Sequence, residues 1–167
     1  LLIRPDRPWT ISHGYLNDPA ADGRAWRNGW FHTGDILRQD AAGHYHFVDR
    51  RKDCIRRRGE NISSFDVECA LMEHPQIVEA AVVTVDAPES SEEEVLAVVR
   101  LIEGRSVEDL DLPNFLRSRL AAFAVPRFVR AVDAFPRTAT HKISKVQLRD
   151  EGIDARTLDF GYSHTRK

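Results

Sequence analysis

Residues 63–85 read SSFDVECALMEHPQIVEAAVVTV and place a helical pattern directly before a strand pattern. After Ser63, a favourable N-cap residue, apolar side chains recur three and four residues apart, as on one face of a helix. Pro75 cannot continue that helix, and residues 77–85 are rich in β-branched side chains. The stretch therefore predicts a helix followed by a strand, as in an α+β domain.

The residues on the carboxyl-terminal side continue this alternation. They predict, in order, a strand over 95–102, a helix over 107–123, a strand over 128–132 and a short basic helix over 144–151. An acidic loop, 89–94, separates the first two strands, and a polar loop, 136–142, precedes the last helix. We expect a small α+β domain with about three strands in one sheet and helices beside it, followed by a frayed polar tail.

The amino-terminal side has a different composition and a different pattern of secondary structure signals. The first 30 residues are irregular and rich in aromatic and turn residues, and two β-like runs, 36–39 and 44–48, flank a turn that contains Gly43. A charge-dense stretch, 49–58, follows. We predict three parts: residues 1–51 as the β-rich end of something larger, residues 52–153 as the small domain, and residues 154–167 as a tail.

The composition argues against several classes of protein. The 167 residues contain 24 Lys and Arg against 26 Asp and Glu, and 42% of them are hydrophobic. Balanced charge argues against nucleic acid as the main ligand, and no apolar run reaches the roughly 18 residues of a membrane span. Cys54 and Cys69 lack metal-ligand spacing, which favours reduced thiols in a cytoplasmic protein. Met72 is the only methionine, so we expect a piece of a longer protein.

Three short motifs carry candidate chemistry, and each alone has an ordinary structural explanation. GWFHTGD at 29–35 is typical of a turn entering a hairpin, and the charged run DRRKD at 49–53 is typical of a solvated face. RGENI at 58–62 follows that run, and FPRTATHKI at 135–143 is typical of a surface loop. Only the order and spacing of the motifs along the chain are specific.

Together these motifs resemble the carboxyl-terminal third of the acyl-adenylate-forming, AMP-binding enzymes. That superfamily includes acyl-CoA synthetases, firefly luciferase and the adenylation domains of peptide synthetases. FVDRRK at 47–52 and GENIS at 59–63 are most similar to crotonobetaine- or carnitine-CoA ligases. The resemblance implies that residues 52–153 form a mobile carboxyl-terminal lid domain and that residues 1–51 are the end of the large AMP-binding domain.

The resemblance assigns the first half-reaction to three residues. In this family a carboxylate and ATP form acyl-adenylate and pyrophosphate, so two anions must approach each other. Lys142 matches the catalytic lysine, whose ammonium would stabilise negative charge at the reacting phosphate. Asp35 and Arg50 match the contacts to the ribose, because a carboxylate can accept hydrogen bonds from a diol and a guanidinium can donate to it.

The resemblance also covers the second half-reaction, in which the thiol of CoA displaces AMP. Lys52 matches the hinge about which the lid domain rotates, and Gly59 with Glu60 matches the segment presented to the CoA channel. A glycine there lets the pantetheine arm pass close to the backbone. His141 departs from the family, since most relatives have glycine before the lysine, and this puts the backbone conformation of the loop in question.

The resemblance therefore implies part of a cytoplasmic, ATP-dependent acyl-CoA ligase, an acid–thiol ligase of fatty acid or related metabolism. It implies ATP, Mg²⁺ and CoA as cofactors, a small-molecule carboxylate as substrate and the large amino-terminal domain as partner. The magnesium ligand belongs to that domain, so no metal site is expected within these residues and the 167 residues alone are expected to be inactive. Three alternatives stay open: a non-catalytic lid or interaction module, a peptide-synthetase adenylation domain, and luciferase-like oxidation.

Overall fold

The computed structural model describes residues 1–87 and 92–161, which form parts of two compact units, Leu1–Lys52 and Asp53–Lys167. Half of the predicted acidic loop, residues 89–91, lies outside the described residues, as do residue 88 and the residues from 162 to 167. Within the described ranges, no helix has the length and apolar character needed to cross a bilayer.

The first unit consists of short strands and one helix. Its elements are β1 (Leu2–Ile3), α1 (Pro19–Ala25), β2 (Trp26–Arg27), β3 (Trp30–His32), β4 (Asp35–Gln39) and β5 (Tyr45–Arg50). Strand β4 pairs antiparallel with β5, which confirms the predicted hairpin. Helix α1 is a finding that the sequence analysis missed. Its start signal is ordinary, with Asp18 accepting from the Ala21 amide and Pro19 in the first turn.

The second unit is a four-stranded mixed sheet with helices and a separate hairpin. Its elements are β6 (Ile55–Arg57), β7 (Glu60–Ile62), α2 (Ser64–Met72), β8 (Ile77–Asp86), β9 (Glu93–Leu101), α3 (Leu112–Arg117), β10 (Phe128–Ala131), α4 (Lys145–Glu151) and β11 (Thr157–Asp159). The sheet order is β11-β10-β9-β8, with only the central pair β9–β10 parallel. Ser63 caps α2 by accepting from the Asp66 amide at 3.0 Å. The predicted α+β class is confirmed.

Both faces of this sheet are buried. On one face the core cluster includes side chains of the sheet, α2 and α3: Val82, Ala97, Val99, Val67, Leu71 and Leu116. On the other face it includes side chains of the sheet and α4: Val83, Leu96, Val98, Phe128 and Leu148. Because both faces need apolar side chains, the strands are continuous hydrophobic runs rather than alternating ones. The surface loops of this unit are therefore attached to a sheet that is buried on both faces.

The helix predicted over 107–123 is wrong in its extent. The structure has a 3₁₀ turn at Val107–Asp109, then α3, and a second 3₁₀ turn at Ala122–Ala124. Pro113 stands in the first turn of α3, where its missing N–H is tolerated, but its ring would clash with a helical turn before it. Of the apolar residues that suggest one helical face, Leu110 and Leu116 are buried, and Phe115 and Leu120 are partly buried against the same core.

The frayed tail predicted from residue 154 is wrong for its described part, because β11 adds a fourth strand to the sheet. Arg127 donates to both carboxylate oxygens of Asp159, at 2.8 and 2.7 Å. The fully buried Arg130 of β10 donates to the Gly152 carbonyl at 3.0 Å and so holds the chain before the strand. Contacts between residues so far apart along the chain leave no local sequence pattern. The polar composition of the segment therefore suggested a frayed tail.

Candidate functional site

The first unit brings together the two candidate ribose contacts. Asp35 begins β4, Arg50 ends β5, and the two residues are direct cross-strand partners. Arg50 Nε lies 3.3 Å from Asp35 Oδ1 in an ion pair. The turn before β4 holds the backbone at Asp35, because the Asp35 amide donates to the Thr33 hydroxyl at 3.0 Å. The Thr-Gly-Asp motif is thus both a turn into a hairpin and the support of a charged pair.

The two members of this pair differ in accessibility. The Arg50 side chain is 54% exposed and that of Asp35 is 25% exposed. Arg50 lines a cavity of about 700 Å³ together with Tyr15, His32 and Lys52, whereas Asp35 lines a smaller cavity of about 420 Å³. The arginine is therefore the more accessible of the two groups to a ligand.

Gly59 lies at the tip of the β6–β7 hairpin. Arg57 is paired with Glu60, so Arg58 and Gly59 form a two-residue loop, with φ of 52° and 83°. A type I′ turn requires positive φ at both central positions, and glycine adopts it without strain. A Cβ added at Gly59 would have nothing within 4 Å. The turn itself therefore requires the glycine, and the open space at the tip is compatible with a ligand passing close to it.

A buried ion pair that the sequence analysis missed anchors this hairpin. Arg57 Nε lies 2.7 Å from Glu94 Oε2 on β9, and both side chains are 4% exposed. Arg57 Nη1 also donates to the carbonyls of Phe123 and Val125, at 2.9 and 3.2 Å. The charged run suggested a solvated face, but strand alternation from the buried Ile55 is the signal that would have placed Arg57 inside.

Lys142 lies on a tight loop between β10 and α4. The Thr138 amide donates to the Lys142 carbonyl at 2.8 Å, and the His141 amide donates to the Thr138 carbonyl at 2.9 Å. Phe135 before the loop and Ile143 after it pack against the core. Lys142 itself is exposed, and across residues 1–87 and 92–161 its ammonium has no hydrogen-bond or ion-pair partner.

His141 has the left-handed backbone conformation that glycine favours, with φ of 62°. A residue with a Cβ is uncommon in this region and stays there when its surroundings hold it. The carbonyl of His141 accepts a hydrogen bond from Arg137 Nη1 at 2.9 Å. The loop therefore forms a turn with positive φ at the position where the sequence departs from the family.

Charged partners hold the loop at both ends. Arg137 donates to both carboxylate oxygens of Glu79 on β8, at 2.9 Å each. Lys145 begins α4, and its Nζ lies 2.7 Å from Glu68 Oε1 of α2. Burial by itself would raise the pKa of Glu79, but the hydrogen bond from Arg100 and the charges of Arg137 and Arg100 lower that pKa below its ordinary value. Glu79 therefore stays an anion at neutral pH.

The predicted site residues thus fall into separate groups. Asp35 and Arg50 meet in the first unit, which ends at the exposed Lys52. The hairpin tip, with Gly59 and the exposed Glu60, and the loop of Lys142 are different surface features of the second unit. Among the described side chains, no group of three or more His, Cys, Asp or Glu could hold a metal ion.

Comparison with known proteins identifies the domain that carries these loops. Residues 66–142, from α2 to the exposed lysine, match the family described as the AMP-binding enzyme C-terminal domain. The chain belongs to the acyl-adenylate-forming, AMP-binding enzymes. The resemblance to this superfamily is confirmed, while the closer similarity to crotonobetaine- or carnitine-CoA ligases stays a prediction.

Curated relatives of this chain include several CoA ligases. The peroxisomal trans-cinnamate:CoA ligase of Petunia hybrida is 36% identical over 141 residues, which are 84% of this chain and 25% of that protein. The 2-succinylbenzoate–CoA ligase of Geobacillus kaustophilus is 39% identical over 83% of this chain and 28% of that protein. The chain thus spans about a quarter of the length of these relatives.

Solved structures of adenylate-forming enzymes show the same fold. The o-succinylbenzoate CoA synthetase of Bacillus subtilis, in complex with its acyl-adenylate intermediate, aligns with a TM-score of 0.71 at 32% identity, over 83% of this chain and 28% of that one. The amide bond synthetase McbA of Marinactinospora thermotolerans aligns with a TM-score of 0.70 at 37% identity, over the same shares. The structures similar to this chain therefore include that of an enzyme named for forming amide bonds.

Proposed function

We propose that this chain is the carboxyl-terminal part of an ATP-dependent acyl-CoA ligase. The complete enzyme joins a carboxylate to ATP with release of pyrophosphate, and the thiol of CoA then displaces AMP from the acyl-adenylate to give a thioester. The observation that carries the proposal is an exposed lysine, on a structured loop, at the end of an AMP-binding C-terminal domain. The CoA ligases among its relatives support it.

In the first half-reaction Lys142 supplies positive charge. A carboxylate that attacks the α-phosphate brings two anions together, and a fixed cation lowers the energy of that arrangement most in a site that excludes water. A lysine on an anchored loop can deliver such a charge because its stem is flexible and its ammonium is compact. The unpartnered state of Lys142 within the described residues supports this role.

Asp35 and Arg50 bind the ribose of the nucleotide in this proposal. A carboxylate can accept from both hydroxyls of a vicinal diol, while the guanidinium donates to the same group. Their ion pair supports the assignment, because it already holds an acceptor and a donor side by side. The adenine, phosphate, magnesium and acyl sites belong to the large amino-terminal domain.

The second half-reaction uses the hairpin tip after a rotation of the lid domain. We place the hinge at Lys52, where the first compact unit ends and the second begins. A hinge needs few residues, since a small number of backbone dihedrals can absorb a domain rotation. Gly59 and Glu60 then line the CoA channel, with the glycine presenting bare backbone to the pantetheine arm.

Replacing Gly59 with leucine should mainly slow the CoA step. We expect kcat/KM for CoA to fall by about tenfold or more, with a smaller effect on adenylate formation, because the new side chain enters the channel. Gly104→Leu is the matched control, since Gly104 has φ of 76° and equally open space around an added Cβ. Both substitutions strain a turn, but only Gly59→Leu adds a side chain at the tip of the β6–β7 hairpin. A loss confined to adenylate formation would contradict the proposal that the lid domain rotates between the two half-reactions and then presents Gly59 to CoA.

The direct test of the function is pyrophosphate release by the complete protein with a panel of carboxylates, including cinnamate, oxalate, 2-succinylbenzoate and fatty acids. At least one acid should support both pyrophosphate release and thioester formation. The 167 residues alone should catalyse no ATP–pyrophosphate exchange with any acid. Exchange by this chain alone would contradict the assignment of the ATP site to another domain.

An amide-forming ligase is the second candidate. The likeness to an amide bond synthetase at 37% identity favours it, because such an enzyme could form an acyl-adenylate and use an amine in place of CoA. Supplying CoA or an amine to the preformed acyl-adenylate separates the two functions. Thioester formation supports the CoA ligase, and amide formation without thioester formation supports the second candidate.

A further inference from the structure

His141 has a left-handed backbone conformation, which its surroundings must stabilise. Glycine would adopt φ of 62° without strain, whereas a residue with a Cβ disfavours it. The loop's own hydrogen bonds join Thr138 to His141 and to Lys142. These bonds leave the carbonyl of His141 to find a partner elsewhere, and that carbonyl belongs to the peptide that leads directly into Lys142.

Arg137 provides that partner and fixes it to the sheet. Its Nη1 donates to the His141 carbonyl at 2.9 Å, and its Nη2 lies 2.9 Å from each oxygen of Glu79. Glu79 lies on β8 and also accepts from Arg100 Nη2 of β9 at 3.1 Å. The guanidinium therefore connects the backbone of the loop to two strands of a sheet that is buried on both faces.

The chemistry of this contact suits arginine in particular. A guanidinium is planar and has donors that point in fixed, different directions, so one side chain can bind a carboxylate and a carbonyl together. Hydrogen bonds from a charged donor are also stronger than neutral ones. A surface ion pair alone would add little, since Arg137 is 42% exposed. The bond to the carbonyl is what gives the contact a role in loop geometry.

We propose that Arg137 is a positioning residue for Lys142: it holds His141 in the left-handed conformation and thereby sets the direction in which the lysine leaves the loop. The inference rests on the proposed function of Lys142 in adenylate formation. A glycine at position 141 would adopt the left-handed conformation without help. In this chain the contact with Arg137 stabilises that conformation instead.

The test is Arg137→Met in the complete enzyme, measured in each half-reaction. We expect kcat of adenylate formation to fall by about 10-fold to 100-fold, KM for ATP to change by less than about threefold, and thioester formation from supplied acyl-adenylate to persist. Adding His141→Gly to this variant should restore most of the lost kcat, because glycine adopts the turn without the guanidinium.

Arg127→Met is the matched control, because Arg127 also binds both oxygens of one carboxylate at the surface but belongs to the β10–β11 edge. It should leave adenylate formation unchanged. Glu79→Gln is a second variant, which keeps a hydrogen-bond acceptor and should give a smaller loss of the same kind. Unchanged kcat in both Arg137→Met and Glu79→Gln, or failure of His141→Gly to restore activity, would overturn the inference.

Amide hydrogen exchange separates this inference from the function on which it rests. In Arg137→Met the amides of Thr138 and His141 should lose protection, and in the double variant with His141→Gly they should regain part of it. If protection is lost while adenylate formation is unaffected, the contact holds the loop but does not position Lys142 for the reaction, and the inference is wrong; the function of Lys142 itself is tested by its own alanine variant. If protection is unchanged, the positioning role of Arg137 is wrong.

Discussion

Replacing Lys142 with alanine is expected to slow adenylate formation by about 10²- to 10³-fold in the complete enzyme, the size of effect seen when one preorganised charge-stabilising group is removed. The second half-reaction, started from supplied acyl-adenylate and CoA, should remain nearly intact, because the α-phosphate has already been attacked. Pyrophosphate exchange measures the first step, and thioester formation from purified adenylate measures the second. An equal loss in both would remove Lys142 from this role.

Lys145→Ala is the control for this experiment. Lys145 lies three residues further along, and its ammonium is already engaged, 2.7 Å from Glu68 Oε1 and 2.8 Å from the Ser64 hydroxyl. Its removal should lower stability, because it takes the ammonium away from the Glu68 carboxylate, and should have the smaller effect on adenylate formation. If Lys145→Ala slowed adenylate formation as much as Lys142→Ala, the loss would report disruption of the loop rather than a missing charge.

Breaking the buried pair between Arg57 and Glu94 is expected to lower the free energy of unfolding of the second unit by about 3–5 kcal/mol. In Glu94→Gln the guanidinium stays buried without its counter-charge, and in Arg57→Met the carboxylate does. The double variant should lose less than the sum of the two single variants, because it leaves no uncompensated charge. Native-state hydrogen exchange of the β9 amides measures the opening of this sheet.

Arg119 and Glu73 provide a closely matched control. Their Nε and Oε2 atoms are also 2.7 Å apart, but the side chains are 35% and 61% exposed. Glu73→Gln should cost at most about 1 kcal/mol, since water solvates the partner that remains. If the two pairs contributed equally, burial would not govern the strength of the Arg57 contact, and its role as the anchor of the hairpin would be wrong.

Local patterns were sufficient for the main elements of the second unit. A capping serine, helical spacing and a proline stop predicted α2, and dense β-branched runs predicted β8 and β9. The hairpin of β4 and β5 followed equally from two runs around a glycine turn. Each of these signals lies within a few neighbouring residues, which is the range over which backbone preferences and amphipathic patterns act.

Contacts between distant residues were beyond such patterns. Strand β11 depends on Arg127 and Arg130, which lie more than 20 residues before their partners. The broken helix shows the opposite error, since helical spacing of leucines outweighed the clash that Pro113 imposes. The family resemblance assigned Asp35 and Arg50 to the same ligand group, but their ion pair is visible only once β4 and β5 are aligned.

By itself the sequence determined the fold class, most of the elements and, through three ordered motifs, the family and the candidate residues for each half-reaction. The tertiary structure decided which of the arginines is buried, why residues beyond α4 form a strand, and how a histidine occupies a left-handed position beside Lys142. The physical reason is the separation along the chain between the residues that interact. Helix and strand preferences are local properties of the chain, whereas burial of a charge and the holding of a strained backbone depend on groups that only folding brings together.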